Sequence, residues 1–432
     1  MKKGYKKHIG LIILLFIVLV FPTSLNYQAR LNMRIIVTGL AVDKDGEDYK
    51  VTAQYVKTSP GNESPGTSAE IDFIVDKAET LSEAISKLAY KAGKVAAFSH
   101  TNFIILGKSL FEEDVTKCLD YFIRDKIIKN SALLLFAPDK AEDEIKKTKN
   151  MELSVGLGLQ KVFLFKENES DGLMVTLIDF LRQNKMYAKS AVASELAFHT
   201  HEESSKGGEQ GSSSSESSSS QNSSGGSSSE SGSSSGGSSS SSSGGSEGST
   251  KSEQQYFDQE APLVCFVDGK FVGKIEDESA IDGYMMANKE SKIIDVVLDG
   301  VSTGRLQGDK IEVVINRKSN KFKVRFENQT PVIDVKVKIT KAEIIEIMSN
   351  EIIASLTNEE FESVKNALAK KVSENVAKCF ENSKKLNLDV FSAYEIAYKK
   401  HNKKTTQNFN SPKEFLEKLK LNVIVDVVQI DY

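Results

Sequence analysis

His199 and His201, followed directly by Glu202 and Glu203, form the densest set of metal-ligating side chains in this 432-residue chain. Alternate residues of a strand share a face, so both imidazoles would point the same way, as a metal site requires. No second ligand cluster accompanies them, and the simpler expectation is a strand ending beside a polar tract. His100 precedes an apolar run at 103–106. A catalytic imidazole needs a nucleophile and an orienting carboxylate in a recognisable context. None surrounds it, so a buried or strand-edge histidine in a structural hydrogen bond is expected. Gly156-Leu157-Gly158 lacks the third glycine and the strand–helix order of a dinucleotide loop. Lys399, Lys400, Lys403 and Lys404 flank His401. Such a cluster can touch anionic lipid headgroups, but a solvated helix end is the preferred reading. The sequence therefore assigns no catalytic, cofactor-binding or metal-binding residue, and no cofactor is expected.

The cysteines, Cys118, Cys265 and Cys379, are far apart. Cys118 and Cys379 fall on apolar helical faces, where a small buried hydrophobe is the expected role; a single disulfide remains open. Lys+Arg 56 against Asp+Glu 60 leaves no basic footprint, so no nucleic-acid partner is expected.

The elements that would position these residues alternate between strands and helices. Asp43-Lys44-Asp45-Gly46-Glu47 lies between two apolar runs, 40–42 and 49–56, and reads as a hairpin turn. A strand at 71–75 follows. Thr80 to Glu83 and Ser109 to Glu112 have capping-box spacing, because a hydroxyl and a carboxylate three residues apart can satisfy two orphan amides. Strands at 103–106 and 133–136 and a helix from Asp139 complete a helix-backed sheet. Residues 173–181 read as another helix. Residues 202–255 are nearly all Ser, Gly, Glu and Gln, which cannot recover their ordering entropy by burial, so a flexible coil is expected. Strand-like stretches at 192–198 and 263–267 flank it, so it reads as an insertion at a loop tip rather than a linker between independent domains. Beyond it, 311–315, 322–326 and 332–339 alternate like antiparallel strands. A long helix is expected over 342–382, its second half started by Thr357 to Glu360 and striped by Val364, Leu368, Val372, Val376 and Phe380. A helix at 412–419 and a strand at 423–430 end the chain.

Met1 to His8 carries Lys2, Lys3, Lys6 and Lys7, and 9–21 is apolar and uncharged. That is the pattern of an export signal, and with no small-x-small cleavage site after Phe21 an uncleaved anchor is expected. The resulting expectation is α+β. It comprises a signal or anchor helix at 1–26, an α/β domain at 27–187, a middle domain at 188–300 interrupted at 202–255, and a C-terminal domain at 301–432 with an antiparallel sheet and a long helix.

Several motifs in order resemble the C subunit of GerA-type spore germination receptors. Ile36-Val37-Thr38-Gly39-Leu40 is similar to that family's Ile-Val-x-Gly strand, and Leu31-Asn32 sits where its Ile-Asn is expected. Phe98-Ser99-His100 with Ile104-Ile105-Leu106-Gly107 resembles its Phe-Gly-His…Val-Ile-Gly stretch. Leu119-Asp120-Tyr121-Phe122-Ile123-Arg124-Asp125 resembles a helix end ending Arg-Asp. Phe266-Val267-Asp268-Gly269-Lys270-Phe271-Val272-Gly273 resembles a conserved hairpin, and Leu388-Asp389-Val390-Phe391 its late Ser-Asp-Ile-Phe. Where the family carries a lipidated cysteine this chain has about Leu25, and it has no Trp. The resemblance implies three α+β domains and work beside a multi-span A subunit and a transporter-like B subunit at the outer face of the inner spore membrane. It also implies a response to small-molecule germinants, which this subunit need not touch itself. An exported membrane-tethered binding or surface-adhesion protein with a Ser/Gly spacer is the other reading.

Overall fold

Gly46 closes the first turn, and everything N-terminal grows from the ribbon it makes. The computed structural model describes residues 34–57, 70–124, 128–148, 173–196, 198–200, 255–257, 261–288, 293–301, 304–348 and 355–432. β1 (Arg34–Asp45) folds back on β2 (Asp48–Lys57), and β3 (Glu70–Ala78) adds antiparallel. Then come α1 (Leu81–Lys91), β4 (Val95–Ala97), β5 (Phe103–Leu106), α2 (Val115–Arg124), β6 (Leu133–Phe136) and α3 (Ala141–Lys147). The sheet runs β3-β2-β1-β5-β6, with β4 also on β1. β5 and β6 are parallel to β1 and to each other. Every residue of both is buried, as two-sided coverage of a parallel strand demands.

The next elements are α4 (Leu177–Asn184), β7 (Ser190–Ser194), two short strands β8 (Phe198–Thr200) and β9 (Gln255–Phe257), then β10 (Leu263–Val267) and β11 (Lys270–Ile275). β10 pairs antiparallel with both β11 and β7, with Leu263 opposite Ser194 and Val267 opposite Ser190. A cluster of phenylalanines joins this sheet to the first. Phe266 of β10 lies 4.7 Å from Phe136 of β6, 5.4 Å from Phe180 of α4 and 5.8 Å from Phe111, centroid to centroid.

The C-terminal elements are α5 (Glu278–Ala287), β12 (Ile294–Asp299), β13 (Lys310–Glu327), β14 (Thr330–Met348), α6 (Asn358–Lys385), α7 (Ala393–Lys400), α8 (Asn402–Asn408), α9 (Pro412–Lys418), β15 (Lys420–Val427) and β16 (Ile430–Asp431). They build a sheet in the order β12-β13-β14-β15, with β16 also on β14; β15 and β16 run parallel to β14, so the sheet expected to be antiparallel is mixed. Val335, Val337 and Ile339 face inward and are buried. α6 carries the expected stripe, with Val364, Leu368, Val372, Val376 and Phe380 buried. At its start Thr357 and Glu360 form a complete capping box. The Arg305 guanidinium forks onto both Glu360 oxygens at 3.0 Å and holds that carboxyl down to about 2.

Four other expectations need correction. The helix over 342–382 begins only at Asn358, because Ala342, Ile344 and Ile347 pair with Ile315, Val313 and Ile311, and sheet pairing overrides helical spacing. Residues 311–315 and 322–326 belong to one continuous strand, β13. Ser109 caps no helix; its hydroxyl accepts the Lys44 amide at 2.8 Å, while Asp114 accepts the Thr116 amide at the start of α2. Residues 173–176 precede α4 as extended chain, with Val175 O accepting the Leu134 amide.

The α+β class holds, with several sheets and the helices above. Among the described residues no helix is long and apolar enough to cross a membrane. The anchor expected at 1–26 lies outside them. Contacts divide the chain into two units, 1–199 with 255–432, and 200–254. Apart from Thr200, the elements described here belong to the first.

Candidate functional site

Asp389 anchors a buried polar arrangement where the C-terminal elements meet β7. α7 begins at Ala393, and Ser392 before it has φ 54° and makes no side-chain cap. Asp389 supplies the cap from upstream, accepting the amides of Ala393 at 2.7 Å and Tyr394 at 2.8 Å. Its own amide donates to Ser190 Oγ at 2.9 Å, tying the start of β7 to the C-terminal elements. Burial pushes the Asp389 carboxyl up to about 6, against the pull of the two amides. Beside it, Tyr187 packs on Tyr398 with centroids 4.0 Å apart and the rings tilted by 33°, and its amide donates to Glu395.

A cleft of about 380 Å³ opens at this seam. Its walls come from the chain before and within α4 (Val175, Arg182), the end of α5 (Tyr284) and the C-terminal elements (Phe322, Asp389, Ile396). The lining is apolar with a few polar groups, and those groups are engaged. Asp179 holds Arg182 at 2.8 Å, and Gln183 accepts the Val192 amide. Such a cleft can hold a small molecule by shape. Among the described residues no hydroxyl or thiol in it is bonded to a side-chain base; Ser190 Oγ accepts the Asp389 amide and Ser392 Oγ meets Met186 Sδ.

The residues singled out from the sequence do not converge there. His100 is exposed at the end of a 3-10 turn and makes no side-chain hydrogen bond among the described residues, a correction to the buried or strand-edge histidine in a structural hydrogen bond expected. The buried residue at that point is Thr101, whose hydroxyl faces Val37 O. His401 packs edge-on to Phe326, and its Nε2 lies 3.1 Å from Val324 O. Lys400, Lys403 and Lys404 around it are exposed, and Lys399 pairs with Glu395 at 2.7 Å. The side chain of His199, and His201, Glu202, Glu203, Gly156, Gly158 and Leu25, lie outside the described residues. All three cysteines are free and buried. Burial raises the thiols of Cys118 and Cys265 to about 12 and that of Cys379 further, which keeps them un-ionised and unreactive.

The motif residues behind the resemblance do packing work. Gly39 sits opposite Phe103, and a Cβ there would lie 2.2 Å from the phenyl ring, so only glycine admits that ring. Phe266 and Phe271 of the hairpin belong to the phenylalanine cluster, and Asp389 is the cap just described. Asp389, Val390 and Phe391 are the seam residues with a motif signal in the sequence. The other cleft walls carry no such motif, because they come from segments far apart in the chain.

Two family models match. One, described as spore germination protein N-terminal domain, covers residues 27–198. The other, described as spore germination B3/GerAC like, C-terminal, covers residues 263–431. Spore germination protein B3 of Bacillus subtilis (strain 168) is 31% identical over 113 residues, 25% of this chain and 29% of that relative's length. The matched part is thus under a third of the relative. A solved structure titled Crystal Structure of the GerBC protein aligns with a TM-score of 0.45 at 16% identity, over 90% of this chain and 97% of that one.

Proposed function

The chain belongs to the GerAC family of spore germination receptor subunits, and from that premise we propose that it is the membrane-anchored, non-enzymatic subunit of a nutrient germinant receptor. The observation that carries the proposal is the pair of family matches, in order, on either side of residues 199–262. In this reading the apolar segment at 9–21 stays in the membrane, and the body is held on the outer face of the inner spore membrane. Tethering raises its effective concentration beside multi-span A and B subunits, so that modest contacts suffice for docking.

The proposed division is 27–187, 188–300 and 301–432, with 202–255 inserted in the middle part. The pairing of β7 with β10 supports placing that tract inside a domain. The seam around Asp389 supports a body that docks as one piece.

Spores with and without the gene, followed by loss of optical density across a panel of small nutrients, test the reading. The deletion is expected to abolish the response to at least one nutrient, and the restored gene to return it. Unchanged responses to every nutrient would refute it.

A further inference from the structure

Among the described residues, the outer face of the C-terminal sheet carries more cations than carboxylates. Strand register puts Lys321 directly opposite Lys336, Lys323 opposite Asp334, and Ser319 opposite Lys338. β15 continues the same face with Ile424 beside Lys336 and Asp426 beside Lys338. Arg325 completes the row on β13. The cations are thus Lys321, Lys323, Arg325, Lys336 and Lys338, against the carboxylates Glu327, Asp334 and Asp426, with Glu327 paired to Arg325. Asp334 bonds Arg325 at 3.0 Å and Asn422 at 2.8 Å, and the charge of Lys323 opposite it also helps hold its carboxyl low.

The four lysines are all exposed, and none meets a carboxylate within 4 Å among the described residues. Like charges directly opposite on neighbouring strands are unfavourable, so Lys321 against Lys336 works against folding. The N-terminal sheet shows the ordinary solution. There Lys44 pairs with Glu113, Lys50 with Glu142, and Lys77 with Asp45. The chain as a whole has a net charge of −4, so this cationic face is a local departure. Ile424 stands among the lysines 45% exposed.

We propose that this face lies against an anionic lipid surface. A three-stranded sheet face presents its lysines as a nearly flat array, with strands about 4.8 Å apart, matching a plane of headgroup phosphates better than a single peptide. Ile424 would sit at the headgroup boundary, where an aliphatic side chain gains burial. The assignment deepens the reading of the chain as a membrane-held subunit and rests on it. It gives the tethered body a defined orientation, with the inner face of the sheet and its helices directed away from the leaflet.

The test uses the full chain mixed with vesicles of phosphatidylcholine alone or of phosphatidylcholine with phosphatidylglycerol. Flotation reports attachment, and brief acetylation read by mass spectrometry reports each lysine. Attachment to both vesicle types, with labelling of Lys321, Lys323, Lys336 and Lys338 reduced several-fold only on the anionic vesicles, is expected. Lys370 on α6 should label equally on both. Each lysine near an anionic leaflet favours docking by roughly five-fold. The double variant Lys336→Glu, Lys338→Glu should therefore lose the protection at Lys321 and Lys323 while its melting curve shows it folded. Protection should also vanish in 1 M salt, where screening acts within about 3 Å. Equal labelling on the two vesicle types would overturn the assignment and leave the face to an acidic protein. Attachment to anionic vesicles only would refute the retained anchor while upholding this face.

Discussion

Replacing Gly283 by alanine should loosen the body at the contact between α5 and α6. The α5 face bearing Ala280, Gly283 and Met286 is buried. A Cβ at 283 would lie 2.0 Å from the Asn375 carbonyl oxygen, 2.4 Å from its carbon and 2.8 Å from the Val376 nitrogen. All three are backbone atoms of α6, so no rotamer change relieves the overlap. Heavy atoms settle near about 3.5 Å, and the helices must part by more than about 1 Å. Alanine in a helix gains about 1 kcal/mol over glycine through chain entropy. Overpacking costs about 1–3 kcal/mol, and a rigid backbone neighbour places this site at the top of that range. The net expectation is a loss of about 2 kcal/mol, which lowers Tm by about 4–8 °C on the scale of 150–250-residue domains. Thermal and guanidinium unfolding of both proteins measure it, and Gly283→Val should fall further. An unchanged or higher Tm for the alanine variant would show that the two helix backbones do not touch.

Asp389 makes stability depend on pH. Its folded value is raised to about 6 from an ordinary 3.8, so the native state holds a proton that the unfolded state has released. The contribution is full below about 4 and fades as pH rises through 6, by up to about 3 kcal/mol. Guanidinium midpoints of wild type and Asp389→Asn at several pH values should diverge over that window, and parallel curves would refute it. Phe266→Ala removes the ring that meets Phe136, Phe180 and Phe111, and should cost about 3–5 kcal/mol by denaturant unfolding. A loss under about 1 kcal/mol would place that ring outside the core. Removing residues 202–254 should leave a folded protein with equal or slightly higher Tm, since β7 and β10 still pair and each halving of a loop gains about 0.6 kcal/mol. A chain that no longer melts cooperatively would count against an insertion.

The sequence was most legible where burial is two-sided. The runs at 103–106, 133–136 and 263–267 coincide with β5, β6 and β10, because continuous apolar stretches bounded by polar residues have few other homes. Legibility failed where pairing competes with local preference. Ala342 to Met348 spaces its isoleucines like a helix, yet its partners on β13 hold it extended. Lys318 to Lys321 looks like a break, but β13 stays paired with β14 through it. Ser109 has the spacing of a cap and spends its hydroxyl on a strand 65 residues away. The Lys321–Lys336 apposition was hidden for the same reason, since alternation shows a polar face but only register shows which charges meet.

The central claim is that this chain is held at the spore's inner membrane as part of a multi-subunit receptor. Purified spore membranes solubilised in mild detergent, with the chain captured through an epitope at Tyr432, test it most directly. The account predicts that the chain sediments with the membrane before solubilisation and carries the multi-span receptor subunits with it afterwards in constant proportion. Recovery in the soluble fraction, or capture without those subunits, would contradict it.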